Sequence, residues 1–249
     1  MRPLIEVLDV DALEWQPLGP PGLYSKLLSR DPQSGARTAL QRMVPEDGYT
    51  PPREAHYHHT YEELLGVKGL FSFDTRRWVR PLSYLYHPPL CVHGFKSTVP
   101  QESWFLSRVG CDLDFNFVPE PLHDDIYPVD GVQPVRGIAA IVDPVAERGM
   151  TLTQWGKGQT PVEWCALSEH PHTGEGSALV RIPGGWRSEL AEAVHREYLE
   201  FFVIDGALEL DGIRMSRHFY TFRPQGTFPR VAASQSGALI YLNFGPRLQ

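Results

Sequence analysis

The feature that most constrains this 249-residue chain is an internal repeat. LLSRDPQSGARTALQRMVP from Leu27 is answered by ALSEHPHTGEGSALVRIP from Ala166, with Ser, Pro, Gly, Ala-Leu and Arg recurring in the same order. HYHHTYEELLGVKG, residues 56–69, aligns without gaps to AVHREYLEFFVIDG, residues 193–206, at a constant offset of 137. A third block matches YLYHPPLCVHG from Tyr84 to YTFRPQGTFPRV from Tyr220. Blocks repeating in order predict two related domains, each small enough to own one hydrophobic core.

Local patterning points to strands. Apolar runs such as LLGVKGLFSF and FFVIDGALEL are short and bounded by Gly, Pro and Asp, and no long segment keeps a helical i, i+3, i+4 period. The 23 prolines and 22 glycines exceed the usual share of roughly 12% for the two together, without low-complexity tracts. Many turns are therefore expected, and the chain reads as all-β. PEPLHDDIYPVDGVQ, residues 119–133, clusters prolines and acids without alternating hydrophobicity and reads as a linker. The expected division is 1–118, a linker at 119–133, and 134–249.

The halves differ in chemistry. His58 and Glu63 are kept as His195 and Glu200, but His56, Glu62 and His93 become Ala193, Leu199 and Pro229. His56, His58 and Glu62 are spaced evenly, so on an extended strand they project from one face. Two imidazoles and a carboxylate facing a barrel interior are costly unless charge and hydrogen bonding are met, which a divalent cation does directly. His93, after a second strand-and-turn unit, is placed to add a fourth donor from an antiparallel neighbour. His59 and Glu63 point the other way and read as solvated or at an interface. His87 reads as a turn residue and Cys91 as a small buried core residue. Phe71, Phe73, Tyr84, Tyr86 and Trp104 read mainly as core, with one or two of them walling the pocket, and His195 and Glu200 read as relics or ordinary hydrogen-bonding groups.

These residues resemble the cupins, whose first motif reads G(x)5HxH(x)3-4E(x)6G and whose second reads G(x)5PxG(x)2H(x)3N. His56, His58, Glu62 and Gly69 fit the first motif, with Gly48 two residues further from His56 than the motif places its glycine. Pro88 and His93 fit the second, with Leu90 in place of its glycine and Ser97 in place of its asparagine. The resemblance covers about 95 residues of each half. It implies two tandem double-stranded β-helix (jelly-roll, RmlC-like) barrels, a bicupin, with one divalent ion (Fe, Mn, Ni, Cu or Zn) held by His56, His58, Glu62 and His93. It further implies that four protein donors leave one or two positions for water or substrate.

A metal-dependent, dioxygenase-like enzyme acting on a small oxygen-rich substrate is then expected, with the catalytic residues unassigned. The alternatives are a non-catalytic zinc cupin that senses a ligand, as in some anti-sigma factors, or a cupin isomerase or hydrolase. The second barrel is expected to serve stability, with anion binding through Arg181, Arg230 or His195 as its alternative role.

Charge and cysteine content narrow the partners. A net charge of −7 with scattered Lys and Arg argues against nucleic acid. No apolar run approaches the roughly 18 residues of a membrane span, and MRPLIEVLDVDALEW lacks a signal-peptide core. Three cysteines without CxxC argue against a disulfide framework. A cytoplasmic protein with a small-molecule partner is the expectation, with a homodimer as one option for its assembly.

Overall fold

The glycine- and proline-rich turns cut the chain into short strands, because neither residue type sustains a ladder. The computed structural model describes residues 1–157, 160–190 and 195–248. Their strands pair antiparallel, with helical turns at Pro45–Asp47 and Pro144–Arg148. No helix among the described residues is long and apolar enough to cross a membrane.

The duplication persists in backbone detail. Leu23–Arg30 pairs with Arg37–Met43, with a shift in register between Leu27 and Ser29. Val162–Glu169 pairs with Gly176–Ile182 and shifts at the equivalent place, between Ala166 and Ser168. Glu62–Lys68 slips against Ser103–Val109 between Gly66 and Lys68, and Tyr198–Leu210 slips against Ala238–Phe244 between Val203 and Asp205, again 137 residues on. Such bulges bend a sheet toward closure, so they recur wherever the barrel must curve.

Two compact units result: Glu14–Glu147, and Arg148–Gln249 together with Met1–Leu13. The division differs from the expected one because the first strand of each repeat is exchanged. Ile5–Asp9 pairs with Phe219–Pro224, placing Ile5 opposite Phe222. Ala139–Ile141 pairs with Tyr84–His87, placing Ala139 opposite Tyr86, the equivalent position. The proposed linker is also structured: Tyr127–Pro128 pairs with Cys91–Val92 in the first of these units.

Each exchanged strand brings an arginine to a buried carboxylate. Glu63, fully buried and so neither solvated nor at an interface, accepts from Tyr84 Oη at 2.6 Å, Arg108 at 2.9 Å and Arg136 at 3.2 Å. Glu200, also buried, accepts from Tyr220 Oη at 2.7 Å and from both terminal nitrogens of Arg2 at 3.0 and 3.1 Å. Arg136 lies 3.9 Å from the Tyr86 ring centre and Arg2 lies 4.1 Å from that of Phe222. Glu200 is therefore a working structural group and not a relic.

The two interiors are filled differently. In the unit containing residues 148–249, Leu199 stands where Glu62 stands in the other, within a core that includes Phe201, Val203, Trp155 and Trp186. The two indoles stack at 5.6 Å. By strand register, Gln41 and Ser107 are replaced by Val180 and Leu242, both buried in that core. Ala193 lies outside the described residues, and Arg181, Arg230 and His195 are all on the exterior.

Removing one partner of a buried ion pair leaves uncompensated charge, which costs about 3–5 kcal/mol. Glu63→Gln, which strands Arg108 and Arg136, is expected to lower the unfolding free energy obtained from urea denaturation by an amount in that range. A Glu63→Gln variant as stable as wild type would show the network to be dispensable.

Candidate metal centre

His56 and His93 meet because their backbones form an antiparallel bridge, with N–H···O bonds of 2.9 and 2.8 Å in the two directions. The segment from His56 to Glu62 is not the single extended strand its spacing suggests. His56–Tyr57 forms one short strand, residues 58–61 turn, and Glu62–Lys68 begins the next. The side chains still converge: the ring centres of His56, His58 and His93 lie 4.7 to 5.1 Å apart. Glu62 Oε2 lies 3.3 Å from His93 Nε2 and 3.9 Å from His58 Nε2. Gly94 is required beside them, since it holds a φ of +81° and an added Cβ would sit 2.5 Å from the His56 ring.

Backbone carbonyls set the tautomers. His56 Nδ1 lies 3.1 Å from Glu54 O, His93 Nδ1 lies 2.8 Å from Cys91 O, and His58 Nδ1 contacts Asp114 O. A ring whose Nδ1–H donates to a carbonyl carries its lone pair on Nε2, the arrangement seen in metal-ligating histidines. His93 Nε2 is buried without a hydrogen-bond partner and faces the Glu62 carboxylate. Two acceptors in contact are repulsive, and a cation between them removes the conflict. The donor set therefore fits a divalent transition metal, of which nitrogen and oxygen ligands accept most.

Protonation agrees. Burial, reinforced by His93, lowers the His56 pKa to about 4, and burial, reinforced by His87, lowers that of His93 to about 4. Burial opposes the charged form of Glu62, yet His87 and His93 outweigh it and hold the carboxyl well below its usual range. At neutral pH His56 and His93 are therefore unprotonated and the Glu62 carboxylate is charged, as ligation requires.

The ligands open onto a cavity of about 420 Å³. Its wall is largely apolar, with Leu23, Met43, Phe105 and Phe115 among the lining residues, and of the aromatics singled out in the sequence Phe73 faces it. Gln41, on Arg37–Met43, lines it with a buried Oε1 that has no hydrogen-bond partner. Phe115 also covers the imidazoles, 4.9 Å from His58 and 5.2 Å from His56.

The other sequence readings divide. His59 is exposed and pairs with Asp114, and Cys91 is buried with its thiol pKa pushed up to about 11 by burial. Phe71, Tyr84 and Tyr86 are core residues, whereas Trp104 is half-buried against Trp15. His87 is the residue that sequence reasoning missed. It is no turn residue: it ends the strand Tyr84–His87 directly opposite Glu62, is 2% exposed, and stacks on His93 at 4.1 Å. Pairing 62–68 with 84–87 in the hairpin register would have revealed it.

A family model described as the ChrR cupin-like domain matches residues 5–109, and one described as a domain of unknown function matches residues 148–246. Among solved structures, a candidate dioxygenase from Nostoc punctiforme superposes with a TM-score of 0.71 at 16% identity, covering 98% of this chain and 83% of that one. An oxalate decarboxylase variant from Bacillus subtilis gives 0.56 at 13%, with 97% and 77% covered. A salicylate 1,2-dioxygenase variant from Pseudoaminobacter salicylatoxidans gives 0.51 at 13%, with 83% and 71% covered. Identities this low establish the fold: two tandem jelly-roll barrels. No curated protein matches the chain.

Because His56 and His93 have values lowered below the roughly 6.5 of an unfolded chain, the unfolded state takes up protons first as pH falls. Metal-free protein is therefore expected to lose stability between about pH 6.5 and about 4. Thermal melts across that window should fall less steeply for His93→Gln than for wild type. Parallel curves would refute this.

Proposed function

We propose that this chain, whose residues 5–109 match a cupin-like domain and whose fold is that of two tandem jelly-roll barrels, is a metal-dependent, dioxygenase-like enzyme acting on a small oxygen-rich organic molecule. One divalent transition-metal ion would be held by His56, His58, Glu62 and His93. The observation that carries this reading is the convergence of the His56, His58 and His93 rings on the Glu62 carboxylate, with His93 Nε2 buried, without a hydrogen-bond partner and 3.3 Å from Glu62 Oε2. Such an ion supplies Lewis acidity and a point of chelation. The chain's own residues do the rest. Phe105, Phe115 and Met43 exclude water and seat an apolar body, and Gln41 Oε1 accepts a hydrogen bond from a substrate hydroxyl or enol. The Mn(II) centres named for Bacillus subtilis oxalate decarboxylase and the two dioxygenase neighbours support a redox-active ion. Three free cysteines suit a reducing cytoplasm.

The match of residues 5–109 to the ChrR cupin-like domain favours a second reading, a zinc-holding cupin that binds its ligand without turning it over.

Elemental analysis of protein purified without a metal-affinity tag is expected to give one ion per chain in wild type and none in His56→Ala. Wild-type protein that binds no ion would remove both readings. Iron- or manganese-loaded protein is then expected to consume oxygen with a diketone, enol or hydroxy acid. Ligand-induced thermal stabilisation without oxygen uptake would select the second reading. For an accepted substrate, losing the Gln41 hydrogen bond costs about 1.5 kcal/mol, so Gln41→Leu should raise KM roughly tenfold.

A further inference from the structure

His87 lies opposite Glu62 in the ladder, and its Nδ1 is 3.6 Å from Glu62 Oε2. That nitrogen is buried and has no hydrogen-bond partner. A neutral imidazole carries its proton on one nitrogen or the other. With the proton on Nε2, the Nδ1 lone pair would face a carboxylate in a site closed to water. With the proton on Nδ1, the same contact is attractive. Charge-assisted hydrogen bonds run at about 2.7–2.9 Å, so under 1 Å of side-chain movement closes this one, and contacts of this kind often tighten only when a site is filled.

The duplicated half offers an internal comparison. Where Glu62 has become Leu199, the residue opposite it has changed from His87 to Arg223. The Arg223 guanidinium turns away to Thr227 O and Glu6 O. The imidazole is present in the repeat that has the carboxylate and absent from the one that lacks it.

We infer that His87 is a positioning residue for the metal centre: its Nδ1–H holds one side of the Glu62 carboxylate, so that the carboxylate meets the ion in a single orientation. The inference rests on the metal reading above. The His87 ligand atom does lie within 4.8 Å of those of Glu62 and His93, but its ring stacks on that of His93 and it does not group with His56 and His58, so the inference places His87 beside the ligand set and not in it. Hydrogen-bonding partners of metal ligands are commonly worth about 10- to 100-fold in affinity.

The test uses untagged, metal-stripped full-length protein, with Mn(II) and Co(II) affinities measured by chelator competition and the Co(II) absorption spectrum recorded. His87→Leu removes the donor while keeping an apolar filling. His87→Asn places an amide N–H near the Nδ1 position. The expected result is affinity about 10- to 100-fold lower in His87→Leu, recovery to within a few-fold of wild type in His87→Asn, and a Co(II) spectrum in His87→Asn that keeps the wild-type donor count. Wild-type affinity in His87→Leu would overturn the inference. So would a His87→Asn that binds as poorly as His87→Leu with one nitrogen donor lost from the spectrum, which would make His87 a ligand. If His87→Leu does not fold, the His87→Asn affinity and spectrum decide alone. Wild-type protein that binds neither ion removes the metal reading itself, a failure distinct from an unaffected variant.

Discussion

Three imidazole lone pairs and a carboxylate turned toward one another inside an apolar barrel form an arrangement that repels itself. Backbone carbonyls keep it in place by occupying every competing proton: Glu54 O, Cys91 O and Asp114 O each engage an Nδ1. The surrounding structure serves this one requirement. The His56–His93 bridge sets the spacing, Gly94 leaves room for a ring, and Phe115 packs against the His56 and His58 imidazoles.

The second repeat shows what the same strands do when that requirement is dropped. Leu199, Val180 and Leu242 replace Glu62, Gln41 and Ser107, and stacked indoles lie in the same core. The bulges recur, and Gly35 and Gly69 recur as Gly174 and Gly206, because curvature is needed whether the interior is a site or a core. Backbone geometry and interior chemistry have diverged separately, the first held by closure of the sheet and the second free to become packing.

Much of this was legible in the residues. Even spacing and the repeat together singled out His56, His58, Glu62 and His93, since metal chemistry needs few residue types at tight intervals. Leu90 was harder to place. It stands where the second motif has glycine, yet it keeps a φ of +61°, as Gly226 does at +83° in the other repeat. His87 was hidden because its importance lies in register across a hairpin, and a proline pair beside it imitates a turn. Glu63 was misread because period-two alternation tells which face a residue takes and not what covers that face. Arg108 and Arg136 cover it, one of them from 73 residues away. The same distance effect concealed the exchanged strands, whose partners no local pattern can reveal.

That exchange bears on how the chain assembles during synthesis. Ile5–Asp9 is translated long before the strand it pairs with, Phe219–Pro224. The first barrel, in turn, stays open along Tyr84–His87 until Ala139–Ile141 has been translated. The strand carrying His87 is thus an open sheet edge, of the kind that invites mispairing, until Ala139–Ile141 covers it.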